Sequence, residues 1–132
     1  MINHQLNCDY LTIVDFFKSI ELFRPLCPSN IVKMVNTMDK ITLQKGEMLI
    51  EQGRLIDGLF IVFRGELEIN YDDGRSSSIQ KKGYIGSNAI LAPVIFPGKI
   101  IAKRTSKILV FRKKNMCGTI AQSLNPHILK SK

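Results

Sequence analysis

The sequence has little histidine. His4 and His127 are the only two, and they sit near opposite ends of the chain. A His-rich metal site of the cupin type is therefore not expected. Cysteine is also sparse: Cys8, Cys27 and Cys117 make an odd set, with no CxxC pair and no zinc-like Cys/His spacing. That usage favours a reducing compartment with buried thiols. No apolar run approaches a membrane span. The first residues are polar (Asn3, His4, Gln5, Asn7), unlike a secretory leader. The expectation is a cytoplasmic protein, with a piece of a larger membrane-attached chain as the alternative. A GxxxxGK[ST] phosphate loop is absent, as are Ser/His/Asp and Cys/His arrangements where a site could assemble. Cys117 reads as one face of a final helix. No enzyme, metal or bound cofactor is expected. There is no internal repeat, and the serines at 76–78 are too few for a linker.

What is present is enough for one core. The chain has 132 residues, 45% hydrophobic and 23% charged, the proportions of an ordinary globular domain. Nineteen Lys and Arg against eleven Asp and Glu give a net charge of +8. The part before Gly74 is near balance. Lys81, Lys82, Lys99, Lys103, Arg104, Lys107, Arg112, Lys113, Lys114, Lys130 and Lys132 crowd the last third. A basic balance suits an anionic partner such as nucleic acid, a phosphorylated ligand or a membrane surface. The plain alternative is a solvated, solubilising face; the sharper one is a phosphate site or docking surface in that last third.

Residues 1–38 read as helical. Leu11, Ile13, Val14, Phe16, Phe17, Ile20 and Phe23 recur near helical spacing, and Pro25 and Pro28 then interrupt. Pro28 suits the first turn of a second helix that turns Ile31, Val32, Met34 and Val35 inward. From Lys40 the pattern changes to short β segments, with strands expected at 40–44, 48–51, 59–63, 66–71, 76–81, 84–87, 100–104 and 107–112. Turn residues separate them: Lys45-Gly46, Gln52-Gly53, Arg64-Gly65, Asp72-Asp73-Gly74 and Lys82-Gly83. Asp73-Gly74 between alternating apolar residues is the strongest hairpin signal, and each turn glycine is expected to supply a backbone conformation that other residues adopt only with strain. A final helix is expected over 113–123, with Met116, Ile120 and Leu124 as its apolar stripe and Pro126 ending it. The expected fold is mainly β with flanking helices, an eight-stranded β-roll of jelly-roll type that closes its strand edges. Segment 1–38 packs on the roll, 39–112 forms it, and 113–132 adds the last helix and a short tail, all as a single domain.

The order of motifs is more specific than any one of them. Phe16-Phe17 and Ile20-Glu21-Leu22-Phe23 are followed by Lys45-Gly46-Glu47-Met48-Leu49-Ile50-Glu51-Gln52-Gly53. Then come Asp57-Gly58-Leu59-Phe60-Ile61-Val62, Arg64-Gly65-Glu66-Leu67-Glu68-Ile69 and Lys82-Gly83-Tyr84-Ile85-Gly86-Ser87-Asn88-Ala89-Ile90-Leu91. From about Val14 to Ile120 this resembles the cyclic nucleotide-binding domain of protein kinase A regulatory subunits, bacterial catabolite activator proteins and cyclic nucleotide-gated channels. Fold does not fix function.

The resemblance implies a phosphate-binding cassette at 83–99. In the family a Gly-Glu opens a short helix whose N–H groups face the cyclic phosphate, the Glu accepts from the ribose hydroxyl, and an Arg pairs with the phosphate oxygens. Here the Gly is Gly86, the Glu position is Ser87, and Ala89 and Ile90 stand where the family has Ala and Leu. The Arg position falls at Phe96, and Lys99 is the nearest cation. The ligand contacts implied by the resemblance are thus Gly86, Ser87, Asn88, Ala89, Ile90, Lys99 and Ile100. Ser87 is a neutral hydrogen-bonding partner, worth roughly 0.5–1.5 kcal/mol net. Lys99 is a point charge without the paired donors of Arg. Losing the bidentate grip costs roughly a couple of kcal/mol, about tenfold or more in affinity. The apolar stretch from Ala92 to Gly98, bracketed by Pro93 and Pro97, replaces the polar part of the cassette. Val94, Ile95 and Phe96 are candidates to fill the pocket, to form an exposed partner patch or simply to pack a short loop. In the family a segment beyond the last helix closes over the base; the residues after Pro126 are too few for a substantial lid.

Three functions remain open. The first is a regulatory module with altered or lost nucleotide binding that acts through contacts with another protein or another domain of a larger chain. The second is a cAMP or cGMP sensor with a non-standard pocket that uses Ser87, Lys99 and backbone amides. The third is a fragment of a DNA-binding regulator without its helix-turn-helix, for which specific DNA binding is not expected.

Overall fold

A computed structural model describes residues 10–56, 58–87 and 93–112. The expected final helix lies outside these residues, as do Cys8, Cys117, Asn88, Ala89 and Ile90. The helical front is present: α1 (Tyr10–Lys18), a 3-10 turn (Glu21–Phe23) and α2 (Pro28–Thr37). Pro28 occupies the first turn of α2, where a missing N–H costs nothing. The Lys18 ammonium closes the connection by donating to the carbonyls of Arg24 (2.8 Å) and Leu26 (2.7 Å).

The eight expected strands form, with small shifts of their ends, as β1 (Asp39–Leu43), β2 (Met48–Ile50), β4 (Gly58–Arg64), β5 (Glu66–Tyr71), β6 (Ser76–Gln80), β7 (Tyr84–Ile85), β9 (Gly98–Ala102) and β10 (Ser106–Arg112). Two further strands are only two residues long, β3 (Leu55–Ile56) and β8 (Val94–Ile95). One sheet has the order β1-β10-β4-β7 and the other β2-β9-β5-β6, and β3 pairs with β8 alone. Every pairing among the described residues is antiparallel. The Asp73-Gly74 hairpin forms between β5 and β6, with Gly74 at φ +93°.

The turn glycines are not all of one kind. Gly65, at φ +98°, needs its freedom twice: the conformation disfavours L side chains, and an added Cβ would come within 2.6 Å of Ser106 Cα. At the 82–83 turn the expectation is corrected, because the positive φ falls on Lys82 (78°) and Gly83 is instead small to clear the Ile79 side chain.

β4 and β10 are apolar on both faces because each separates two cores. Leu59, Ile61, Leu109 and Phe111 face the helical front, where they join Phe16, Phe17, Phe23, Leu26, Ile31 and Met34 in an outer cluster. Phe60, Val62, Ile108 and Val110 face the roll interior with Leu67, Ile69, Ile85 and Ile100. The buried-thiol expectation fails at Cys27, which is exposed. It stands just before α2 at the N-cap, and its Sγ lies 3.3 Å from Ser29 Oγ. That hydroxyl contact, followed by the Asn30 backbone, lowers the thiol pKa below its ordinary value.

Candidate functional site

Strand pairing brings together the described ends of segment 83–99, where the resemblance implies a cassette. β7 lies on β4, with Ile85 opposite Phe60, and delivers the chain to Gly86. Gly86 is at φ +94°, against the carbonyl of Gly58, so a Cβ there would meet both strain and a collision. Ser87 follows, half-buried. On the far side β8 is clipped to β3, with Leu55 opposite Ile95 and Ile56 opposite Val94. The Phe96 N–H donates to Arg54 O (3.3 Å) and the Gly98 N–H to Phe96 O (2.9 Å), folding the chain around Pro97. The Asp72 N–H donates to Pro97 O (3.0 Å), and the Gln52 amide holds the Asp72 carboxylate at 2.7 Å.

The three apolar candidates separate in this geometry. Val94 and Phe96 are partly buried and pack against the inner cluster, whereas Ile95 is 64% exposed. The Phe96 ring stacks on Tyr71, with centroids 6.1 Å apart and planes 28° apart. The Arg75 guanidinium carbon lies 4.9 Å from the Tyr71 centroid, so cation and aromatic are also in contact. Arg75 in turn engages Asp73, through its backbone N–H (3.0 Å) and its Nε (2.8 Å), and holds that carboxyl below the usual carboxylate range. Ile100 is fully buried in the inner cluster. Strand alternation then places its neighbour Lys99 on the opposite face of β9, where it is half-buried.

Sequence reasoning did not find Tyr71 and Arg75. Arg75 reads locally as a turn residue, and Tyr71 meets Phe96 only because β5 pairs with β9, with Tyr71 opposite Gly98. The available signal was Gly98 itself: an added Cβ there would come within 2.9 Å of Tyr71 Cα, a sign of close backbone approach. A cavity of about 410 Å³ opens on the outer side of β1, β10 and β4, and one of about 280 Å³ lies beside β2 and β3. Neither is lined by Gly86, Ser87, Phe96 or Lys99. Among the described residues no group of three or more His, Cys, Asp or Glu side chains could hold a metal ion. No described helix is long and apolar enough to cross a membrane.

Residues 40–123 match the family model of the cyclic nucleotide-binding domain. A cGMP-dependent protein kinase of Drosophila melanogaster, isozyme 2, is 27% identical over 55 residues, which is 42% of this chain and 6% of the kinase. The chain therefore corresponds to a small part of that relative. The regulatory domain of Toxoplasma gondii PKA, solved with cAMP, superposes with a TM-score of 0.74 over 92% of this chain and 50% of that one, at 16% identity. The sensor domain of the transcriptional regulator DNR from Pseudomonas aeruginosa gives 0.70 over 80% of this chain and 75% of that one, at 17% identity. At such identities the likeness shows the fold alone, a β-roll behind leading helices. The glycine framework, the roll and the family match agree: this chain belongs to the cyclic nucleotide-binding domain family, whose members are regulatory modules.

Proposed function

We propose that this chain is a regulatory module of an intracellular signalling protein in which nucleotide binding is altered or lost, and that it acts through protein contacts. One observation carries the reading. The resemblance sets Phe96 where the family has its phosphate-pairing arginine, and that ring packs against the inner cluster and stacks on Tyr71. An aromatic ring offers a cyclic phosphate no charge-assisted hydrogen bond, the strong kind of contact that anion recognition depends on. Ser87 takes the place of the ribose-binding acid, and Lys99 lies on the opposite face of β9 from Ile100. On this reading Val94 and Phe96, which pack against the inner cluster, take up room that a ligand would need. Residues 88–92 contribute only backbone groups and small or apolar side chains apart from Asn88, so they bring no compensating charge.

The test is a thermal-shift titration with cAMP and with cGMP. A ligand that binds only the folded state must raise its stability, by about 2.7 kcal/mol when present at a hundred times its Kd. The wild-type chain is expected to show no shift up to millimolar nucleotide. The double variant S87E/F96R, which restores the family's acid and arginine, is expected to gain a measurable shift. Saturable stabilisation of the wild type at micromolar cAMP or cGMP would overturn the reading in favour of a working sensor with a non-standard pocket.

A further inference from the structure

The outer face of the first sheet carries a groove that the cassette does not use. β1 is the edge strand here, and the register sets Lys107 of β10 opposite both Thr42 of β1 and Arg64 of β4, with Lys40 opposite Leu109. The cavity of about 410 Å³ is lined by these cations with Ile41, Thr42, Phe63, Ile108 and Leu109, and by no acidic side chain among the described residues. Lys40, Arg64 and Lys107 are exposed, and none forms an ion pair among the described residues. The neighbouring carboxylates are engaged elsewhere: Asp39 with Arg112 at 3.4 Å, Glu66 with Lys103 at 3.4 Å and Arg104 at 3.5 Å. The Arg64 guanidinium carbon lies 5.7 Å from the Phe63 ring centroid, so that cation rests partly on the ring, but no described carboxylate compensates any of the three. At close range like charges repel, so such a cluster is relieved by a partner of opposite sign.

We infer that this groove docks an acidic, amphipathic peptide segment of a partner protein, with carboxylates on Lys40, Arg64 and Lys107 and an apolar side chain between them against the partly exposed Phe63. The proposal rests on the reading that the module acts through protein contacts, and names the surface. Charge complementarity selects the occupant. Residues 113–132 carry four lysines and no acid, and residues 1–9 carry one acid, Asp9. Neither matches three cations. A nucleic acid backbone would satisfy the charges and leave the partly exposed Phe63 uncovered, whereas a peptide satisfies both.

The test is fluorescence anisotropy on the full chain with a short fluorescein-labelled peptide of repeating Glu-Glu-Leu as probe, beside an oligothymidylate of similar charge. The peptide is expected to bind more tightly than the oligothymidylate and to weaken as salt rises. K40E/K107E is expected to weaken it at least about tenfold, K40Q/K107Q by less, and K81E/K82E little. All three double variants change exposed positions, so folding is checked by circular dichroism and the graded series remains informative. Absence of peptide binding, equal binding by K40E/K107E, or preference for oligothymidylate would overturn the proposal. Markedly tighter peptide binding by Asp9→Lys would also overturn it, by showing that the chain's own first residues occupy the groove. So would self-association that K40E/K107E abolishes, because the occupant would then be a second copy. The nucleotide titration reads a different site, so failure here and failure of the cassette reading are distinguishable.

Discussion

The two cores on either side of β4 and β10 are built differently. The outer one is aromatic: Phe17 sits edge-on to both Phe16 and Phe23 at 5.3 and 5.0 Å, and Phe16 meets Phe63 at 5.0 Å. The inner one is aliphatic, with Phe60 as its one buried ring among the described residues, set among Ile, Val and Leu. The outer core is closed by the chain's own helices. The inner core is completed at the cassette end by Val94 and Phe96, side chains from the segment that the family uses for ligand. The difference separates a cluster closed by helices from one closed by a short strand and the loop after it.

The largest expected effect lies in the outer core. Phe17 is fully buried, and Phe17→Ala should cost roughly 3–5 kcal/mol in urea denaturation, combining lost burial with the cavity left behind. A cost near that of an exposed residue would show the aromatic clamp to be dispensable. Next is the joint between the sheets. Gly65→Ala should cost about 2 kcal/mol or more through positive φ and the collision with Ser106, whereas Gly53→Ala, with open space around it, should cost about 1 kcal/mol. Equal costs would mean that conformation alone, not the close approach, governs the joint.

The third comparison lies within the cassette. Phe96→Ala should lower stability by about 1 kcal/mol and Ile95→Ala by about 0.5 or less, because only the former packs on the inner cluster. Reversal of that order would remove Phe96 as a closing residue.

The smallest effect is electrostatic. The Glu66 carboxyl is held below the ordinary 4.5, first by the Gln80 side-chain amide and then by Lys103 and Arg104. A carboxylate depressed in the folded state adds stability above its unfolded pKa, and that stability is lost as pH falls through the folded one. The Tm of the wild type should therefore fall faster than that of Glu66→Gln on acidification below about pH 4.5, with the curves converging at low pH. Parallel curves would show the network to be without consequence.

The roll was legible because its information is local. Apolar alternation and turn residues marked eight strands, and Pro28 marked the start of α2. β3 and β8 escaped because two residues carry no periodicity; they are strands only through each other. The turn at Gly86 was legible as part of the glycine framework, and its positive φ agrees with that reading. The Tyr71–Phe96 contact was not, since it depends on the pairing of strands almost thirty positions apart, and neither was the thiol exposure of Cys27, which follows from its place at a helix start. The cationic groove was half-legible: the basic last third supplied Lys107, but Lys40 and Arg64 come from the balanced part and join it only across the sheet.

The β3–β8 clip has a kinetic consequence. Two residues on each side hold far fewer pairings than either four-stranded sheet, and cooperative opening energies scale with what must be broken. The amides of Ile56 and Val94 should therefore exchange their hydrogens sooner than those of β4 or β10. The roll then has a built-in seam, and Phe96, which follows the clip directly in the chain, sits where the interior is first reached from solvent.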